Sequence, residues 1–552
     1  MRWIKNKYFL LSLVFVAVYL ILHIPYIGIN ELNPDAVNWH KRSEQFVLGL
    51  KSGDLALTYQ HYHPGVTLMW IVGVPVEIVK QFTSVGTVYT ADTYVLFHTV
   101  AKLSLISVNL ILALLTIFFL TKVTGFNKAL LIVFFLNAEP FFLGNAKVLH
   151  MDILFTSLVM LALITGYLMI TTEDRKYLIL SGLFSALAVL TRSVGVGVVL
   201  FNSALLIYTL LVTKTEVRKT LKAYSIYFLS FIIVFVILFP ALWVSPIDVL
   251  DKMFTRSFEI GVEEGHPQIY FGEETENPGM LFYPITLLMK VSPFILTGVF
   301  FYLLFEFVLQ LRERTQIKDK VLLLITAKRI SFAVVMTVFF LGYFGVYTLS
   351  SKKLDRYMLP LFFPLSFFAV YGYSKIVSLK PNLGALYTIS LLFLASVFVP
   401  ILSLYPYEFL YYSPLFKNSK NANSVIGVKN FGIAHPSVAD LLITKYSCLN
   451  KDANFPANFK VVSYRKYECP KTAGKVNAGI YVSKNLLELY GNQNTKNTRY
   501  DGPESYDIYI RSINDNYPKK IKTKGLNFEL DSSVYISDVE LWRFYVKTSE
   551  KQ

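Results

Sequence analysis

Long apolar segments recur along the first 404 residues of the chain, and they constrain its fold more than any other feature. A helix needs about 20 mostly apolar residues to cross a hydrocarbon core about 30 Å thick. By this measure we predict about 11 transmembrane helices. They lie near residues 8–28, 97–120, 129–146, 152–171, 177–191, 194–213, 223–244, 285–309, 331–349, 358–377 and 384–404. The predicted fold class is therefore a polytopic α-helical membrane protein.

The first apolar segment follows Arg2, Lys5 and Lys7, as the core of a signal peptide would. No small-residue cleavage site comes after it, and the segment is longer than a typical signal core. We therefore predict that it is retained as a membrane anchor.

The composition agrees with a membrane protein and excludes several other classes. Of the 552 residues, 54% are hydrophobic and 16% are charged, whereas soluble domains carry about 25% charged residues. This excludes a cytosolic globular enzyme, a disordered chain and a disulfide scaffold. The net charge of +16 could indicate a nucleic-acid partner, but no basic surface is separate from the apolar segments. We predict no nucleic-acid partner and attribute the charge to topology and to attraction of anionic groups.

The distribution of Lys and Arg predicts the orientation, because cytoplasmic loops are enriched in these residues. With the amino terminus in the cytoplasm, the basic loops Lys214–Lys222 and Arg312–Arg329 lie inside. An odd number of spans then places the polar regions 29–96, 245–284 and 405–552 outside. We predict a multi-pass protein of the plasma or inner membrane that works on its outer face, in contact with membrane lipids.

Two domains follow from the change of composition after Pro406. Residues 1–404 form the transmembrane domain, with outer loops 29–96 and 245–284. Residues 405–552 are predicted as a small extracytoplasmic α/β domain. Its predicted helix is Ala434–Tyr446, and its predicted strands include Lys460–Ser463, Gly479–Val482, Ile508–Ile510 and Val534–Val546.

Two further local predictions come from shorter stretches of the sequence. Pro64–Phe82 is apolar but interrupted by Gly73, Pro75 and Glu77, so we predict an interfacial or half-inserted helix. Asp35–Leu50 is amphipathic and is predicted to lie along the membrane surface.

The only two cysteines of the chain, Cys448 and Cys469, fall in the outer domain. Outside the cell membrane such a pair is predicted to form a disulfide, with two free buried thiols as the alternative.

Ionisable side chains collect near the predicted outer ends of the spans. They are Asp35, His61, His63, Lys147, His150, Asp152, Arg192, Lys352, Lys353, Asp355 and Arg356. Charged groups at membrane depth are costly and indicate function. Any single Lys or Arg at a span end could instead extend to water, but a whole set on one face favours a site.

This mixture of charges predicts a site for a lipid-linked phosphate. Cations would stabilise a phosphate leaving group as its charge grows, and a carboxylate would take a proton from an acceptor hydroxyl. No Walker-type glycine loop is present, so a soluble nucleotide donor is not indicated. His61 and His63 could bind a metal, but a structural role is equally compatible with their spacing. We predict neither a metal nor another cofactor.

Short motifs in the transmembrane domain carry a family resemblance. They are Pro34-Asp35 with Trp39 and Arg42-Ser43, Thr58 to Gln60 (TYQ), His63 to Trp70 (HPGVTLMW), Lys147 to Asp152 (KVLHMD), Leu190 to Arg192 (LTR), Phe271-Gly272, Pro278 to Pro284 (PGMLFYP) and Lys353 to Pro360 (KLDRYMLP). In this order they resemble the GT-C membrane glycosyltransferases. The resemblance is to the protein O-mannosyltransferase-like and aminoarabinose-transferase-like branch.

The resemblance implies roles for individual residues. Asp35 matches the family's catalytic base in the first outer loop, and Asp152 matches the acid of the following outer loop. Many relatives have a second acid directly after the first, where this chain has Ala36, and an Arg often stands where this chain has Lys147. Arg356 matches a phosphate-contacting position.

We therefore predict a hexosyl- or pentosyltransferase that uses a polyprenyl-phosphate sugar donor and inverts the anomeric centre. The acceptor would be a hydroxyl on a protein, a lipid or a surface glycan. The predicted catalytic residues are Asp35 and Asp152. The predicted phosphate-binding residues are Arg356, Lys353, Lys352, Arg192 and Lys147. The predicted substrate-pocket residues are His150, His63, Tyr283 and His266.

Each of these assignments has a structural alternative. Asp35 could cap the helix that follows it, and Asp152 could cap a span or pair with Lys147. Arg356 could pair with Asp355 or with lipid headgroups, and Tyr283 could simply pack in its loop, as could His266.

A transporter or flippase of lipid-linked glycans is the alternative function. It is less favoured, because no internal repeat is visible and the charges lie at one face rather than at mid-membrane. A receptor with a glycan-binding outer domain leaves the charged span ends unexplained.

Overall fold

The computed structural model describes most of the chain. The described residues are 2–28, 33–83, 91–172, 174–212, 216–259, 265, 267–313, 330–380, 382–416, 419–428, 433–448, 455–464, 478–480, 495–497, 507–513 and 527–548.

The transmembrane domain is built almost entirely of helices. In chain order they are α1 (Arg2–His23), α2 (Pro34–Ser52), α3 (Val66–Thr83), α4 (Ala91–Thr124), α5 (Phe126–Ala138), α6 (Pro140–Ala146), α7 (Asp152–Thr171), α8 (Arg175–Thr191), α9 (Val196–Val212), α10 (Val217–Leu238), α11 (Ala241–Val244), α12 (Pro246–Phe258), α13 (Phe282–Lys290), α14 (Pro293–Glu313), α15 (Phe332–Leu349), α16 (Phe362–Ser378), α17 (Leu383–Phe393) and α18 (Val399–Leu404). A 3₁₀ segment, Asp355–Leu361, precedes α16, and a π turn joins α17 to α18.

Eight helices in the described parts of the chain are long and apolar enough to cross a membrane, or up to 10 if each bent pair counts as one span. The bent pairs are α5 with α6, which turn by 73°, and α13 with α14, which turn by 111°. The fold class predicted from the sequence is confirmed.

The predicted spans correspond to helices or helix pairs, but two of these helices are too short to count among the eight. The apolar part of α1 is only Lys7–His23, and α8 has 17 residues. Conversely, α3, which was predicted to be interfacial or half-inserted, is one continuous helix that is long and apolar enough to cross a membrane. Pro75 lies inside it without breaking it.

The two helix breaks are joined by one buried carboxylate. Glu139, between α5 and α6, accepts hydrogen bonds from the Ser292 backbone N–H at 2.6 Å and from the Ser292 hydroxyl at 2.7 Å. Ser292 lies between α13 and α14. Because backbone groups freed at a break inside a membrane must be satisfied by protein, this contact stabilises both bends together.

Helix α7 is the centre of the transmembrane domain, with 89% of its span buried. Its side chains are apolar on every side, as expected of a helix surrounded by other helices. Helices α4, α8 and α9 pack against it. The chain enters α7 at Asp152 and leaves α8 at Arg192, so these two residues lie at the same end of an antiparallel pair.

The loop after α12 contains a two-stranded hairpin, β1 (Gln268–Tyr270) with β2 (Glu273–Thr275). The described part of residues 405–552 contains a six-stranded sheet in the order β3-β7-β8-β6-β4-β5. Its strands are β3 (Phe459–Ser463), β4 (Ala478–Ile480), β5 (Thr495–Asn497), β6 (Ile508–Ser512), β7 (Asn527–Ile536) and β8 (Val539–Thr548). Helices α19 (Ser419–Val425) and α20 (His435–Leu441) complete the predicted α/β domain.

The long predicted strand Val534–Val546 is in fact part of a hairpin. Strands β7 and β8 pair antiparallel around the turn at Ser537 and Asp538. Ser537 has a positive φ of 54°, which reverses the chain within an otherwise strand-forming run. Cys448 is disulfide-bonded, and the only other cysteine in the sequence, Cys469, lies outside the described residues.

Residues 406–413, which follow α18 and which we call the joining segment, are buried against the helices. Gly144 of α6 allows this close approach, because a Cβ atom there would lie 2.1 Å from the backbone nitrogen of Phe409. Ser413 donates its backbone N–H to the carbonyl of Met289 at 2.7 Å. The segment is therefore fixed to both α6 and α13.

Candidate functional site

Five of the predicted site residues meet at one end of the helical bundle. We call Asp35, His150, Asp152, Arg192 and Arg356 the ion cluster. Asp35 lies in the first turn of α2, Asp152 begins α7, and Arg192 follows α8. His150 comes just before α7, and Arg356 lies in the 3₁₀ segment before α16. Four separate parts of the chain thus supply the cluster.

Asp152 is the most heavily contacted member of the ion cluster. Its Oδ1 lies 2.5 Å from NH1 of Arg192. Its Oδ2 lies 2.8 Å from Nδ1 of His150 and 3.2 Å from Nε of Arg356. The side chain is only 5% exposed. Both carboxylate oxygens are therefore occupied, and Asp152 holds three other members in place.

Asp35 has a more open environment. Its Oδ2 lies 3.6 Å from NH2 of Arg356 and 3.7 Å from Nε2 of His150, and the side chain is 39% exposed. The cap of α2 is Asn33, whose side chain accepts the Ala36 backbone N–H at 2.6 Å. Since Asn33 does the capping, the Asp35 carboxylate keeps an accessible oxygen beside a cation.

An aromatic residue lies between the ion cluster and His61. The Trp39 ring is buried, with its centroid 6.5 Å from the rings of both His61 and His150. The Arg42 guanidinium lies 4.7 Å from the Trp39 ring centroid. Burial lowers the pKa of Arg42, which the negative charge of Asp35 raises in turn. Arg42 belongs to one of the motifs that carry the family resemblance, but no role was predicted for it from the sequence.

The two histidines before α3 are kept uncharged by their surroundings. The pKa of His61 is lowered to about 4, first by burial and then by the positive charge of Arg42. The pKa of His63 is also well below its usual value, because of burial and then the charge of Arg192. Nδ1 of His63 lies 3.3 Å from the hydroxyl of Ser193. His63 therefore borders the ion cluster through the residue that follows Arg192.

The two lysines before Arg356 differ in their surroundings. Lys352 lies close enough to His61 and His63 for its charge to lower the pKa of both. Lys353 is buried and donates to the carbonyl of Ser350, and burial lowers its pKa. Lys352 is thus near the cluster, while the ammonium of Lys353 donates within its own segment.

Tyr283 lies beneath the segment that carries Arg356. Its buried hydroxyl accepts the Leu354 backbone N–H at 3.3 Å. On the other side of this segment, the Arg192 guanidinium lies 4.6 Å from the Tyr357 ring centroid. The contact of Tyr283 supports the segment from behind.

Lys147 is placed against a residue that sequence reasoning missed. Its ammonium lies 2.7 Å and 2.8 Å from the two oxygens of Glu408, and both side chains are buried. Burial lowers the pKa of Lys147, and Glu408 offsets part of this effect. Since 261 residues separate the pair, no local sequence signal could have identified it. The contacts with Glu408 place the Lys147 ammonium against the joining segment rather than against Asp152.

Two other predictions concern His266 and metal binding. His266 lies outside the described residues. Within the described ranges, no group of three or more His, Cys, Asp and Glu side chains is arranged to hold a metal ion. In the ion cluster, the carboxylates are instead matched by guanidinium groups.

Comparisons with known proteins give matches among solved structures. No family model and no curated protein matches the chain. ArnT from Cupriavidus metallidurans bound to undecaprenyl phosphate is 14% identical, with 96% of this chain and 97% of that chain covered and a TM-score of 0.48. The oligosaccharyltransferase AglB from Archaeoglobus fulgidus, in complex with an inhibitory peptide and a dolichol-phosphate, is 10% identical. That match covers 92% of this chain and 70% of that chain, with a TM-score of 0.46.

Both proteins are members of the GT-C superfamily, which the sequence motifs resemble.

Proposed function

We propose that this protein is a membrane glycosyltransferase that moves a sugar from a polyprenyl-phosphate donor to an acceptor hydroxyl at the outer face. The observation that carries the proposal is the contrast between two carboxylates in one ion cluster. Asp152 is buried and contacted on both oxygens, whereas Asp35 is part-exposed and 3.6 Å from Arg356. One carboxylate is suited to organising cations, and the other is suited to accepting a proton.

The cations of the cluster supply the charge that a phosphate leaving group needs. As the bond between the anomeric carbon and the phosphate oxygen breaks, negative charge grows on the phosphate. Fixed positive groups stabilise that charge most effectively in a site with little water. Arg356 and Arg192 are held by Asp152 before any substrate binds, and Lys352 adds a further positive charge nearby.

Asp35 is the proposed base. The acceptor oxygen attacks the anomeric carbon from the side opposite the phosphate, and its proton passes to the Asp35 carboxylate. The electron pair of the broken bond leaves with the polyprenyl phosphate, so the anomeric configuration is inverted. Asp152 is a positioning residue in this scheme, because both its oxygens already contact other side chains.

The remaining predicted residues would surround the sugar and its phosphate. His150 belongs to the ion cluster, His63 borders it, and Tyr283 supports the segment that carries Arg356. We propose Lys353 and Lys147 as further residues that bind the donor phosphate. The basic loops on the other side of the membrane support an outer location for the site. A protein, a lipid and a surface glycan all remain acceptor classes that the chemistry allows.

The experiment is sugar transfer by purified protein in detergent, with a labelled polyprenyl-phosphate sugar and extracts containing each acceptor class. We expect transfer by the wild type and a loss of about 10²- to 10⁴-fold in Asp35→Asn. The matched control is Asp174→Asn, because Asp174 is 40% exposed and caps α8 at the end away from Arg192. Asn is as good a cap as Asp, so this variant should transfer normally.

Undiminished transfer by Asp35→Asn at normal protein levels would remove Asp35 from the mechanism. A wild-type protein that moves intact donor between leaflets of vesicles, but never transfers sugar in detergent, would instead support a flippase.

A further inference from the structure

The outer-loop helix α12 has three distinct faces, and one of them is apolar and exposed. Val249 and Met253 are buried against the protein. A second set of side chains is large, apolar and exposed: Ile247 at 84%, Leu250, Phe254 and Phe258 at 59%. At about 100° per residue, this second set falls within an arc of about 80°. Its members therefore form one continuous stripe beside the buried face.

The third face of α12 is charged. It carries Asp248, Asp251, Lys252 and Arg256, which occupy an arc of about 140° between the apolar and the buried faces. Lys252 pairs with Asp248 at 2.7 Å, and Arg256 pairs with Glu259 at 2.7 Å. A helix that contacts only protein and water would not be expected to carry a continuous, exposed apolar stripe. A helix at the edge of a protein in a membrane interface requires all three faces.

The apolar stripe continues from a lipid-facing surface. Helix α10 has only 11% of its span buried, and Ile233, Val236 and Ile237 at its end are exposed. Trp243 follows, also exposed, and donates its indole N–H to the carbonyl of Val236 at 2.7 Å. Tryptophan with one apolar and one polar side is enriched at membrane interfaces. The chain thus passes from a lipid-facing helix through an interfacial tryptophan directly into α12.

The inner side of α12 touches the residues beside the ion cluster. The Ser257 hydroxyl lies 2.7 Å from the hydroxyl of Ser193 and donates to the carbonyl of Tyr62 at 3.2 Å. Ser193 follows Arg192 and contacts His63. A helix anchored in the membrane would therefore fix the membrane-side border of the cluster.

From these contacts we infer that α12 rests in the headgroup layer of the membrane, with Ile247, Leu250, Phe254 and Phe258 among the upper acyl chains. Its occupant is the lipid surface. The two acidic and two basic residues within α12 cancel, so apolar burial rather than attraction to anionic lipid holds it. This inference does not depend on the proposed sugar transfer.

The test places a fluorescent label at single introduced cysteines in the full chain, reconstituted in phosphatidylcholine nanodiscs. Cys448 is disulfide-bonded and the sequence has one other cysteine, so the introduced thiol is the reactive one. The first pair is Ile247→Cys on the apolar stripe and Thr255→Cys on the charged face, both at exposed positions. A second pair, Phe254→Cys and Lys252→Cys, guards against failure of one variant to fold.

An NBD label at residue 247 or 254 should lose most of its fluorescence to nitroxide-labelled phosphatidylcholine and little to aqueous iodide. Labels at 255 and 252 should show the reverse. Neither added salt nor added anionic phosphatidylglycerol should change this pattern. Quenching of the residue 247 label by iodide would overturn the inference, because the stripe would then face water. Resistance to both quenchers would also overturn it, because protein would then cover the stripe.

Discussion

The carboxylate of Asp152 lies 2.5 Å from the guanidinium of Arg192, across the antiparallel ends of α7 and α8. Both side chains are almost fully buried, and the same carboxylate also lies 3.2 Å from Arg356. Removing one partner of a buried ion pair is costly, since the other charge remains without compensation. This pairing is the framework on which the more open Asp35 depends.

The Asp152→Asn variant should lose both stability and transfer. We expect a loss of about 3 to 5 kcal/mol in the free energy of unfolding, because two guanidinium groups would lose their shared anion. The measurement is the thermal midpoint in detergent, followed by intrinsic fluorescence, beside the transfer assay. An unchanged midpoint would show that Asp152 does not hold the cluster together.

The Asp35→Asn variant should behave in the opposite way for stability. Asp35 is part-exposed, its cation contacts are 3.6 Å or longer, and Asn33 provides the helix cap. We expect the thermal midpoint to stay close to the wild-type value, since exposed ion pairs contribute about 0 to 1 kcal/mol. A large fall in the midpoint would mean that its loss of transfer reflects misfolding rather than chemistry.

The Arg356→Lys variant tests whether a positive charge alone is sufficient. The guanidinium reaches Asp152 through Nε and Asp35 through NH2, and a single ammonium cannot make both contacts. We expect transfer to fall by about 10- to 100-fold, which corresponds to about 1.4 to 2.7 kcal/mol. The matched control is Arg256→Lys, in an exposed pair with Glu259, which should transfer normally. Equal activity of Arg356→Lys and wild type would contradict a geometric role.

Stability should fall on acidification in a way that depends on His61. The pKa of His61 is lowered to about 4 in the folded protein, while the unfolded value is about 6.5. The unfolded state therefore binds more protons between these values, and stability falls as the pH drops from about 6.5 towards 4. His63 and His40, whose pKa is lowered to about 3 by burial, act in the same direction.

In the His61→Gln variant, the thermal midpoint should depend less on pH across this window. The measurement is the midpoint at several pH values for the variant and the wild type. Parallel curves for the two proteins would contradict an uncharged His61 in the folded state.

Lys290 connects the joining segment to the segment that carries Arg356. Its buried ammonium donates to the Tyr411 carbonyl at 2.9 Å and lies 4.0 Å from Asp355, whose other oxygen accepts the Arg356 backbone N–H at 2.7 Å. We expect Lys290→Met and Asp355→Asn each to lower transfer. In a double-mutant cycle the two losses should not add, because they break one connection. Additive losses would show that Lys290 and Asp355 act separately.

The sequence by itself predicted the class of the fold and all five members of the ion cluster. Apolar segments of membrane length predicted the helices, because that length reports directly on the solvent around each one. The change of composition after Pro406 predicted the outer α/β domain. Asp35, His150, Asp152, Arg192 and Arg356 were recognisable because ionisable groups at span ends are rare and costly.

Only the tertiary structure revealed the physical difference between the two carboxylates. The family resemblance already implied Asp35 as the base, and the fold adds that Asp152 alone meets both Arg192 and Arg356 within 3.2 Å, while Asp35 is part-exposed. Lys147 is predicted to bind phosphate, but its pairing with Glu408, 261 residues away, could come only from the fold. The hairpin of β7 and β8 likewise depended on one backbone reversal, at Ser537. Composition and spacing report the local environment of a residue, whereas ion pairing and burial depend on which distant segments the fold brings together.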